Sequence, residues 1–92
     1  MSDYDKFVKL INSIANINHV ISSLESIGLN VDENAFEGAL FRSFDGLVVI
    51  AMDLLNLTDS PAHNDVYNKM IGVEKGNCES LIKELWNEYR IK

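Results

Sequence analysis

Cys78 is the one thiol of this chain, and His19 and His63 are its two imidazoles. A thiolate becomes a nucleophile where a neighbouring base or a positive dipole lowers its pKa. Cys78 falls in the first turn of an expected helix, which favours that form, although a lone cysteine in such a place is more often a small buried apolar residue. Asp59 and His63 stand four residues apart and could share a helix face, with Asp65 close by. Two or three metal ligands can be imagined there; the plainer reading is an Asp near a helix start beside an exposed His. A ferritin-like di-iron centre needs a Glu-x-x-His pair on each of two helices. Asn16 precedes His19 and Ser60 precedes His63 at that offset, so the motif is absent. There is no Walker loop, GxGxxG, HExxH, GxSxG or CxxC. We expect no catalytic residue, metal or cofactor; an enzyme would require Asp59, His63 and Cys78 to meet after folding.

Arg42 is the only cation between Lys9 and Lys69, and it follows Phe41. A guanidinium binds carboxylates and phosphates bidentately. In a symmetric oligomer, copies of Arg42 could converge with Lys6 or Lys9 on a small anionic ligand such as a nucleotide. The simpler alternative is a surface ion pair with Asp45 or Glu37.

The charge balance narrows the partners. Fourteen acidic residues against eight basic ones give a net charge of −6. Between positions 25 and 65, eight acids face Arg42 alone. Nucleic-acid binders carry a basic stripe that neutralises phosphates, so direct nucleic-acid binding is not expected, nor is docking on an anionic membrane. Single-cysteine usage and the lack of an N-terminal apolar run lead us to expect a cytoplasmic location. Ten Asn, nine Ile and six Lys against two Arg suggest an AT-rich coding genome, a flavour shared by small lytic phages.

The elements that must position these residues are helical. At 92 residues, 47% apolar and 24% charged, the chain is sized for one globular domain, 1–92. Ser2 can cap a helix whose first turn holds Asp3 and Asp5. Phe7, Leu10, Ile14, Ile17, Ile21 and Leu24 then repeat at 3, 4, 3, 4, 3, a heptad seam flanked by Ile11 and Val20. Gly28 closes the run, so the first helix covers about 3–27. A helix of ~37 Å cannot bury its full seam in so small a monomer unless another long helix lies beside it.

Asn30 or Asp32 caps a second helix over about 33–57, joined by a short link that implies antiparallel packing. Its stripe is Phe36, Leu40, Ser43, Leu47, Ile50, Leu54 and Leu57, widened by Ala39, Phe44 and Ala51. A second apolar face, Phe41, Asp45, Val48 and Met52 with Val49 beside it, lies opposite. Residues 47–51 read alternatively as a buried strand; the unbroken stripe on both sides favours helix. Gly38 and Gly46 suit a kink or a close helix approach. Ser60 and Pro61 restart the chain into a helix of about 61–71, ended by Gly72. Asn77 caps a last one over about 78–90, with Leu81, Ile82, Leu85, Trp86 and Tyr89 on its apolar face.

The expected fold is therefore all-α: a long antiparallel helical hairpin with two shorter helices in a small bundle. The expected function is that of a small acidic, non-enzymatic binding or regulatory protein. It self-associates through Phe41, Asp45, Val48, Val49 and Met52 and binds or blocks a protein partner, as a phage-encoded host antagonist would. The alternative is an oligomeric small-ligand binder or sponge that holds an anionic metabolite on Arg42, Lys6 and Lys9 at a subunit interface.

Overall fold

The computed structural model describes residues 1–28 and 35–91, and for 35–43 the helical backbone without its side chains. Four α-helices follow one another: α1 (Asp3–Ser26), α2 (Ala35–Leu54), α3 (His63–Ile71) and α4 (Cys78–Trp86). A π-helical turn, Asn87–Ile91, extends α4. No strand occurs among the described residues, and 47–51 is helix. No helix among them is long and apolar enough to cross a membrane. The molecule is elongated, 44 × 26 × 25 Å.

Local chemistry sets the helix ends. The Ser2 hydroxyl accepts from the Asp5 N–H at 3.1 Å, satisfying one of the donors that a helix start leaves free. At the other end of α1, Gly28 takes φ 87°, the left-handed conformation that glycine adopts without a Cβ penalty. Two expected caps act differently. Ser60 accepts from Ala62 N–H within a turn, and α3 starts only at His63, so Pro61 lies outside the helix. Asn77 precedes α4, but its side chain accepts from Glu74 N–H at 2.8 Å and folds the α3–α4 loop instead of capping.

Among the described residues the buried core draws on all four helices. Phe7, Ile11 and Ile14 of α1 meet Phe44, Val48, Ala51, Met52 and Leu55 of the α2 segment, Val66 and Met70 of α3, and Ile82 and Leu85 of α4. Arg90 ties three helix ends together. It bonds the Leu54 carbonyl at the end of α2, pairs with Asp3 at the start of α1 at 3.2 Å, and lies 4.6 Å from the centre of the Trp86 ring. The start of α1 and the end of α2 thus share one end of the molecule, so the two long helices run antiparallel.

The buried arc of α2 is turned toward the second apolar face. Phe44, Ala51 and Leu57 of the expected stripe are buried and Leu47 and Leu54 are half-buried against the core, but Ile50 is 53% exposed, while Val48, Met52 and Leu55 are fully buried. Asp45 and Asp53 both stay exposed in this facing, as the cost of burying an unpaired carboxylate requires. Gly46 has nothing within 4 Å of a Cβ built on it, so it marks no close helix approach. The expected cap at Asn30 or Asp32 lies outside the described residues, as do the side chains of Phe36, Gly38, Ala39 and Leu40.

Candidate contact site

The rotation of α2 corrects the expected contact face. Val48 and Met52 are fully buried by their own chain, so they cannot greet a partner. Asp45 is exposed, and Val49 is 62% exposed. The side chain of Phe41 lies outside the described residues, as does that of Arg42. What α2 leaves outside is Val49 with Ile50, 53% exposed, set among the exposed Asp45, Gly46 and Asp53.

Along the backbone, the candidate anion-binding residues lie at different levels of the hairpin. Lys6 and Lys9 stand in the first two turns of α1, beside the end of α2. Arg42 stands twelve residues before that end, ~18 Å along the helix. Lys6 also lies 3.9 Å from Asp3.

The candidate chemical groups have gone to structure. Cys78 is buried, and its thiol donates to the Asn12 side-chain carbonyl at 3.4 Å. Burial pushes its pKa up, against the lowering expected from a helix start, because an apolar surround disfavours the thiolate. His63 stacks on Tyr67 with ring centres 6.3 Å apart. These contacts lead Cys78 and His63 to different neighbours. Among the described residues, no three His, Cys, Asp or Glu side chains group to hold a metal.

Among the described residues, a further apolar surface lies on α1. Its buried positions, Phe7, Ile11, Ile14 and Ala15, follow the true helical period. The heptad seam drifts from that line by ~20° per repeat in a straight helix. By the second half of α1 the inward line has become Asn18, Ser22 and Glu25. These border an open cleft of about 530 Å³ against the α3–α4 loop, with Ala15, Ile21 and Ile71 supplying its apolar part. Asn18 pins that loop by donating to the carbonyls of Ile71 at 3.1 Å and Val73 at 2.7 Å.

The apolar residues have meanwhile turned to the flank. Ile17, Ile21 and Leu24 are only half-buried, Val20 is 41% exposed and Ile27 is 73% exposed. Residues 10–24 contain no Asp, Glu, Lys or Arg, in a chain that is 24% charged. The polar positions are Ser, Asn and a single His. Exposed apolar groups in a row mark contact surfaces, and interface centres are depleted of charge. The seam was visible in the sequence; its drift, and hence which part stays uncovered, was the step that a strict heptad reading missed. No family model, curated protein or solved structure matches this chain.

Proposed function

We propose that this chain is a small non-enzymatic binding protein that docks the outer flank of α1 against another protein and regulates or blocks what it covers. The flank comprises Ile17, Val20, Leu24 and Ile27. One observation carries the reading: the apolar seam of α1 continues past its buried members, Phe7 to Ala15, through the uncharged stretch 10–24, and Val20 and Ile27 stand in solvent. A charge-free helical surface suits burial against protein, because no desolvated ion has to find a partner.

The test compares capture by the full chain with capture by Val20→Asp, Ile27→Asp and Val49→Asp, from the cells that make the protein. All three positions are exposed, so each variant should keep its fold by circular dichroism. The proposal expects proteins held by the wild type to be lost with the two α1 variants and retained with Val49→Asp. The reverse pattern would overturn it. A thermal-shift screen of nucleotides and phosphates covers the small-ligand alternative. A ligand at ~100 times its Kd adds about 2.7 kcal/mol of stability, and a shift abolished by Arg42→Ala would replace our reading.

A further inference from the structure

We propose that the open cleft between α1 and the α3–α4 loop is a binding site for a small zwitterion, an α-amino acid with an aliphatic side chain. The site is separate from the outer flank of α1, and the inference does not depend on the contact role assigned to that flank.

The walls of the cleft are fixed by the chain's own bonds. Asn18 donates to the carbonyls of Ile71 and Val73, which ties one edge of the loop to α1. Asn77 accepts from the Glu74 N–H, which ties the loop to itself. The space between the walls is about 530 Å³, inside the ~300–1,000 Å³ of ordinary small-molecule sites. Walls fixed before the ligand arrives spare the cost of ordering them on binding.

Charge of both signs borders this space. Glu25 stands in the last turn of α1, where the chain supplies no base to offset the negative end of the helix dipole. Lys75 stands on the loop wall, three residues before α4 begins at Cys78 without a side-chain cap. Lys6, Lys69, Lys83 and Arg90 pair with carboxylates at 3.1–3.9 Å. Among the described residues Lys9 and Lys75 form no such pair, and of these two only Lys75 borders the cleft. Lys75 thus shares the cleft with Glu25 and Glu74 and meets neither.

Opposite charges that share a cleft without meeting are matched by a ligand that carries both. An α-amino acid sets its ammonium toward Glu25 and its carboxylate toward Lys75. Ala15, Ile21 and Ile71 supply the apolar part of the lining, which suits an aliphatic side chain. Two carboxylates against one lysine leave one net negative charge at the site, so the ammonium is the better-held end. The charged groups are exposed and screened by solvent. A ligand of about nine heavy atoms in such a site binds with a Kd of ~0.1–1 mM.

The experiment is a titration of the full chain with leucine to about 10 mM, above that Kd, at fixed pH and ionic strength, read by backbone amide shifts. Saturable shifts are expected in residues 15–25 and 71–76. Glu25→Gln and Lys75→Gln, both at exposed positions, should each raise the Kd about two- to fivefold, the range of a surface ion pair. Glu79→Gln, exposed and outside the cleft, should leave it unchanged. Isoamylamine and isocaproate each lack one charge of leucine and should bind more weakly, isocaproate the more so; glycine, without the aliphatic chain, should also bind more weakly. The inference is overturned by the absence of saturable shifts, by shifts confined to other parts of the chain, or by a Kd indifferent to both cleft substitutions. Tighter binding with Lys75→Gln, or isoamylamine equal to leucine, also overturns it, because the cleft would then select a cation and not a zwitterion.

Discussion

Replacing Arg90 with Ala should cost more stability than any other single surface truncation in this molecule. Its guanidinium makes three interactions at one end of the bundle. Stacking on the half-buried Trp86 ring contributes ~0.5–1 kcal/mol at a partly exposed site. The bond to the Leu54 carbonyl satisfies an acceptor that a helix end leaves free, and a charged donor makes that worth ~1.5 kcal/mol. The ion pair with Asp3, whose side chain is about half exposed, adds only ~0.2–1 kcal/mol. Together the loss is ~2–3.5 kcal/mol. At ~4–8 °C per kcal/mol for a domain of this size, Tm should fall by ~10–20 °C. Urea denaturation followed by Trp86 fluorescence gives the free energy directly. Asp3→Asn should cost only the ion-pair share, and Arg90→Lys, which keeps charge but loses the planar fork, should fall between. An Arg90→Ala protein within ~0.5 kcal/mol of wild type, the ordinary range for surface changes, would refute the idea that this end is clamped by one side chain.

Other expectations follow from the same packing. Val48→Asp should abolish the cooperative unfolding transition, because it buries a charge, whereas Val49→Asp one position on should stay within ~0.5 kcal/mol; equal effects would contradict the observed face of α2. Asn18→Ala removes both anchors of the α3–α4 loop and should cost ~1–2 kcal/mol, with amide exchange accelerating in residues 72–77 before the core. Cys78 should resist alkylation in the native state near pH 8 and react at once in denaturant. Burial raises its folded pKa, so the folded state holds the proton longer than the unfolded one. That contribution to stability is intact below the ordinary thiol pKa and declines as pH climbs through it, which a pH series of urea midpoints will register.

The all-α class and the order of four helices were legible because apolar spacing, Ser2 and Gly28 carry strong local signals. The facing of α2 was not. Both of its stripes are apolar at helical spacing, and periodicity cannot rank two such stripes. Which of them turns inward is decided only once α1, α3 and α4 offer a core for the helix to face. The contact face was misassigned for the same reason: Val48 and Met52 read as a second surface until the helix is turned. Arg90 gave no signal in advance, since a basic residue near a helix end is ordinary and two of its three partners, Asp3 and Leu54, lie far away in sequence.

The central claim is that this protein works through the outer flank of α1. The most direct measurement is capture from the cells that make the protein, comparing the full chain with Val20→Asp and Val49→Asp, both at exposed positions. The account predicts that Val20→Asp loses the proteins held by the wild type while Val49→Asp keeps them. Loss with Val49→Asp in place of Val20→Asp would contradict it.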